Sequence, residues 1–202
     1  MRAGTENTKQ IAMEAFINSA AVVALGELGD KTQVLALLLA VRYQRSWPIL
    51  GGIFFATLLT MGVTALLGTT ISAFLPTPIL RWVLVAMFYA VALWTLVPEG
   101  DDDDDDDVPL KSSGSLVLTA FVTFILAELG DKSQIATLVM AAKYGDFPLV
   151  MAGATLGEML AISPAVLLGQ TTAQWLPMKW VRVAAAALFA ALGTWVLVFG
   201  LD

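Results

Sequence analysis

The heptapeptide Glu27-Leu28-Gly29-Asp30-Lys31-Thr32-Gln33 gathers two carboxylates, an ammonium, a hydroxyl and an amide into a single short stretch. A near copy, Glu128-Leu129-Gly130-Asp131-Lys132-Ser133-Gln134, follows later in the chain. Both lie inside long apolar runs. On a continuous helix Glu27, Asp30 and Lys31 fall at i, i+3 and i+4 and share one face. A charged side chain near the centre of a bilayer costs roughly 2.5–3.5 kcal/mol on insertion scales. An internal Glu–Lys staple would account for one such motif. It requires neither a second acid one turn away nor the adjoining hydroxyl and amide, and it does not explain a second copy.

The sharper reading is a cation site. Its metal ligands would be Glu27, Asp30, Glu128 and Asp131, with Gln33, Gln134, Thr32 and Ser133 as further oxygen donors. Lys31 and Lys132 are read as groups that tune the site, or as tethers that orient the carboxylates. Four carboxylates and two ammoniums leave a formal charge of −2, which one divalent cation or two protons would balance. The chain has no Cys and no His. Thiolate or imidazole metal ligation and Ser-His or Cys-His catalysis are therefore excluded. A site built from oxygen alone favours Mg²⁺, Ca²⁺ or Mn²⁺. Carboxylates crowded away from water take up protons readily when a metal leaves. That competition is the minimum physics of an antiporter.

The elements that must position these residues are membrane helices. Hydrophobic residues make up 58% of the 202 and charged residues 14%, about half the usual share for soluble domains. Mean hydropathy is +0.79. Six segments have the roughly 20 apolar residues a bilayer crossing needs: about 12–41, 48–74, 79–97, 115–142, 148–174 and 179–200. The first and fourth exceed that length and are expected to tilt or break near their polar middles. Segment one continues past its motif to Val41, so it reads as a retained helix rather than a cleaved leader. The Trp residues fall near segment ends, as interfacial belts require.

The two halves repeat at an offset of 101, which pairs Tyr43 with Tyr144, Gly52 with Gly153, Arg81 with Arg182 and Trp94 with Trp195. Residues 1–97 read as a first three-helix repeat, 98–114 as an acidic connecting loop and 115–202 as a second repeat. Three crossings per repeat, an odd number, put the second repeat in upside down. The expected fold is therefore an all-α integral membrane protein of six transmembrane helices, arranged as two inverted-topology three-helix repeats. Substrate would bind where the repeats meet. Glu158 aligns with Thr57 and reads as a proton relay, an extra ligand, or an acid bonded to Ser163. Thr60, Thr64, Ser163, Thr171 and Thr172 read as packing hydroxyls. The formal net charge of −6 is dominated by the run Asp101–Asp107, a solvated linker or a cation-concentrating antenna. Lys and Arg divide almost evenly between the two sides, so charge alone sets no orientation. Nothing here is basic and aromatic enough for nucleic acid.

At the doubled motif the chain resembles the GDT family of cation/proton exchangers. The pattern Glu-x-Gly-Asp-[Lys/Arg]-[Thr/Ser] is met in full at Glu27–Thr32 and Glu128–Ser133. The resemblance spans essentially the whole chain and is nearest the bacterial and cyanobacterial manganese exporters. It implies a transporter and not an enzyme, exporting Mn²⁺, with Ca²⁺ as the alternative, from the cytoplasm in exchange for protons. It also implies that the motif acids hold the cation and that the acidic loop faces the cytosol of a bacterial plasma membrane or thylakoid. The expected partners are a divalent ion, protons and the lipid bilayer, with no resident cofactor. A passive cation channel is the competing class, and an intramembrane acid–base enzyme the third. Oligomeric state is left open.

Overall fold

The computed structural model describes residues 2–96, 115–168 and 178–200. Among these residues all regular structure is helical. The first half gives α1 (Arg2–Glu27), α2 (Lys31–Tyr43), α3 (Ser46–Phe74) and α4 (Thr77–Leu96). The second gives α5 (Leu116–Glu128), α6 (Lys132–Tyr144), α7 (Phe147–Leu168) and α8 (Met178–Phe199). The Asp101–Asp107 run, Thr171, Thr172 and Trp175 lie outside the described residues.

Of the two outcomes expected for the long first and fourth segments, tilt or break, each motif shows the break, and the single helical face expected for Glu27, Asp30 and Lys31 is corrected. α1 stops at Glu27 and α2 starts at Lys31, and the two are bent by 72°. Gly29 adopts φ 79°, the left-handed conformation in which glycine commonly ends a helix. Asp30 is the N-cap of the next helix, with extended backbone. The second motif repeats this at Gly130, also at φ 79°, and Asp131. Glycine followed by aspartate is thus a stop and a start in adjacent positions, and it overrides the apolar run around it. At 1.5 Å per residue the 13-residue helices α2, α5 and α6 are each about 20 Å long, too short to cross a bilayer alone.

Three helices, α3, α4 and α7, are individually long and apolar enough to cross a membrane, and the bent α1–α2 pair makes a fourth candidate. The expected segment 48–74 falls within α3, residues 79–96 of the third segment within α4, and residues 148–168 of the fifth within α7. The described Trp residues Trp47, Trp82, Trp94, Trp180 and Trp195 are all exposed, as are many leucines and valines on the outer helix faces. Outward-facing apolar side chains are what a lipid environment selects.

Each half packs into the other. α3 lies against α5 and α6, and α7 lies against α1 and α2. Glycine sets the closest approaches. A Cβ on Gly52 would collide with the carbonyl of Val117, and one on Gly153 with the carbonyl of Phe16. Gly52 and Gly153 correspond at the offset of 101, as do Phe16 and Val117. The same small-residue contact is therefore made twice with the halves exchanged, the packing by which membrane helices come close. α4 packs against α8 through the equally matched pair Phe88 and Phe189, both buried. This arrangement leaves α3 and α7 in the middle, each touching the other and the other half's broken helix.

Candidate metal centre

The helix breaks bring the motif acids inward. Glu27, Asp30 and Asp131 each offer a carboxylate oxygen, and these atoms lie within 4.8 Å of one another. All three residues are buried. The helix ends around the cluster carry partial charges of both signs. Glu27 closes α1 and Glu128 closes α5, so the negative ends of two helix dipoles point into the break. Asp30 and Asp131 open α2 and α6, whose positive ends stabilise their charge. A 3.1 Å bond from the Asp30 amide to the Glu27 carbonyl closes the first turn, and Asp131 to Glu128 repeats it at the same distance.

Lys132 reaches across from the second half to Asp30 Oδ1 at 3.1 Å, in a pair buried on both sides. Lys31, its counterpart, is exposed. The two lysines expected together at the site are therefore divided. With Glu158 included, the buried positions among the described residues hold five carboxylates against the one ammonium of Lys132, a formal excess of four negative charges.

The remaining motif residues separate by role. Ser133 donates its amide and hydroxyl to Asp131 Oδ2, at 3.2 and 3.0 Å, and so fixes that carboxylate. Thr32 donates instead to Glu27 Oε2 at 2.6 Å. Gln33 Oε1 accepts from the Gly29 amide at 2.9 Å, and its Nε2 donates to the Ala161 carbonyl at 2.9 Å. Gln134 Oε1 accepts from the Gly130 amide at 3.2 Å. The two amides thus brace the glycine turns, and the structure does not bring them to the carboxylate cluster.

Glu128 also stands apart from the trio. It faces α3, accepting from Thr60 Oγ1 at 2.5 Å and lying 3.3 Å from Thr57 Oγ1. Glu158 on α7 is fully buried and accepts from Thr57 Oγ1 at 3.0 Å. Ser163 is not among its hydrogen-bond partners in the described structure. Sequence reasoning passed over Thr57 and Thr60 as partners of the buried acids. Thr60 looked like a packing hydroxyl because it also bonds back to the Ala56 carbonyl, as helix threonines do. The available signal was the offset of 101, which places Thr57 opposite a buried acid.

Comparison with known proteins agrees with this chemistry. The chain matches the family described as "Divalent cation/proton antiporter GDT1" over residues 15–103 and 116–202. It is 42% identical over 178 residues to a Vibrio cholerae protein named "Putative manganese exporter", covering 88% of this chain and 87% of that one. A GDT1-like protein of Synechocystis is 30% identical over 195 residues, covering 88% and 93%. A rice relative, "GDT1-like protein 5", is 26% identical over 214 residues, covering 88% and 91%. No solved structure matches the chain. Buried acids from two matched helix breaks, in an apolar helical protein with this family match along its length, place the chain in the GDT1 family of divalent cation/proton antiporters: it is a membrane transporter and not an enzyme.

Proposed function

We propose that this protein exports Mn²⁺ from the cytoplasm in exchange for protons, by alternating access around the carboxylates of its two helix breaks. The observation that carries the reading is the Glu27–Asp30–Asp131 cluster, built from both halves of the chain and buried at the ends of broken helices. Transporters made of inverted repeats place their ion sites in such discontinuous helices. Glu27, Asp30 and Asp131 act as ligands, with Glu128 completing the set of motif acids. Thr32 and Ser133 orient them. Lys132 balances part of their charge, and protons replace the metal on the return step.

Alternating access also gives the lysine asymmetry a purpose. Lys132 clasps Asp30, while Asp131 caps its own helix through Ser133. Asp30 makes no such cap. In the opposite-facing state the roles exchange: Lys31 clasps Asp131, and Asp30 caps α2. Six crossings in two inverted three-helix repeats, with the acidic connection on the cytosolic side of a plasma or thylakoid membrane, complete the proposal. The relative named as a manganese exporter supports Mn²⁺ as the cargo. Ca²⁺, a larger oxygen-seeking ion, is the alternative substrate.

The test is reconstitution into proteoliposomes. An imposed proton gradient should drive Mn²⁺ uphill, and Ca²⁺ assayed in parallel ranks the two ions. Flux that only follows the metal gradient would make the protein a channel.

A further inference from the structure

Glu128 is the motif acid left outside the cluster, and its surroundings are short of donors. A hydroxyl has one proton to give. Thr57 Oγ1 faces Glu128 Oε1 at 3.3 Å and Glu158 Oε1 at 3.0 Å, so it serves one carboxylate at a time. Thr60 shares its proton between Glu128 Oε2 and the carbonyls of Ala56 and Thr57, which lie at 3.1 and 3.2 Å. Glu158 Oε2 is buried with no hydrogen-bond partner. The two carboxylates nevertheless meet at a single hydroxyl, one on either side of Thr57 Oγ1. Acceptors pressed together away from water need a shared proton or a cation between them. The ammonium of Lys132 lies on Asp30.

The donors converge from three elements: Thr57 and Thr60 from α3, Glu128 from the end of α5, and Glu158 from α7. Their four side chains present six oxygens and no nitrogen or sulfur, a supply that fits a hard divalent cation. Their formal charge of −2 matches one such ion. Glu27, Asp30 and Asp131 with the Lys132 ammonium also sum to −2. Grouped by their contacts, the described buried acids thus fall into two neighbouring sets of equal formal charge.

We propose that Glu128, Glu158, Thr57 and Thr60 form a second cation subsite, distinct from Glu27–Asp30–Asp131, so that the protein holds two divalent ions along its path. The proposal rests on the transport function put forward above and adds an ion position to it. Thr57 and Glu158 correspond at the offset of 101 and touch each other, so the subsite straddles the line about which the halves exchange. It differs from the motif cluster in taking half of its donors from α3. An ion there would be handed between the central helices as the halves move.

Equilibrium dialysis of the purified protein against Mn²⁺, with electron paramagnetic resonance on the same samples, tests this. Wild type should bind about two equivalents, one per set of charge −2, and neighbouring Mn²⁺ ions should broaden each other's resonance. Glu158→Gln, nearly isosteric, and Thr60→Ala should each lose one equivalent and restore a sharp Mn²⁺ spectrum. Glu27→Gln should lose the other. One equivalent in wild type, lost in Glu27→Gln and unchanged in Glu158→Gln, overturns the subsite and leaves the transport site standing. No Mn²⁺ bound by folded wild type overturns both.

Discussion

The two motif loops have nearly the same sequence and backbone but different side-chain partners. Gly29 and Gly130 share φ 79°, and Asp30 and Asp131 differ by 5° in φ and 1° in ψ. Yet Glu128 takes its hydroxyls from α3, whereas Glu27 takes one from Thr32 within its own loop. The cause lies in the facing helices. Position 60 is threonine and its counterpart 161 is alanine, while position 57 is threonine and its counterpart 158 is glutamate. Where Glu128 meets two hydroxyls, the positions that correspond for Glu27 hold an alanine and a glutamate, neither of which offers a hydroxyl. Thr32 fills that gap. Ser133, under no such demand, stays with Asp131. A duplicated motif has become two different half-sites without changing its own chemistry.

The largest expected effect falls on Glu27, the glutamate of the three-acid cluster. Altering only the residues that orient metal ligands commonly costs 10–100-fold, so losing a ligand should exceed about 100-fold. Glu27→Gln is therefore expected to reduce Mn²⁺ flux into proteoliposomes by more than about 100-fold, with normal membrane insertion. Equal wild-type flux in that variant would remove Glu27 from the site.

Next come the lysines. Lys132→Ala should lower flux by roughly tenfold, since it leaves Asp30 buried without its cation. Lys31→Ala discriminates more sharply. A lysine that stays at the surface in both states would be silent on removal, whereas alternating roles predict a loss of similar size. Flux through both variants, measured with the same gradient, decides between them.

The smallest effect concerns the part of the comparison where the halves agree. Gly52→Ala and Gly153→Ala each force a methyl against a backbone carbonyl of the facing helix. Overpacking of this kind costs about 1–3 kcal/mol. The two variants should lower the unfolding temperature in detergent by similar amounts. A large difference between them would mean the exchanged packing is less symmetric than its geometry.

Much of this was legible in the sequence. The offset of 101 anticipated the matching element ends, down to α2 at Lys31–Tyr43 and α6 at Lys132–Tyr144. Residue type picked out the buried acids, because few roles justify a carboxylate in an apolar run. Excess length pointed to a tilt or a break, but what a break does to the facing of the side chains was harder to see. Periodicity counts Glu27, Asp30 and Lys31 as one face, but a left-handed glycine resets the phase and turns Lys31 outward while Asp30 stays buried. The separation of Glu128 from the other acids was hidden for a different reason. It depends on which hydroxyls of α3 face inward, and a threonine that bonds its own helix resembles one that also bonds an acid.

The contact between Thr57 and Glu158 carries a consequence for how such a protein can be assembled. A single repeat pairing with an identical copy would have to meet itself at that position: two threonines with no carboxylate, or two glutamates in mutual repulsion. Joining both repeats in one chain removes that restriction. One side can keep the donor while the other carries the acid. Covalent linkage here does more than hold two halves together, because it permits a mixed pair that no self-matching dimer could make.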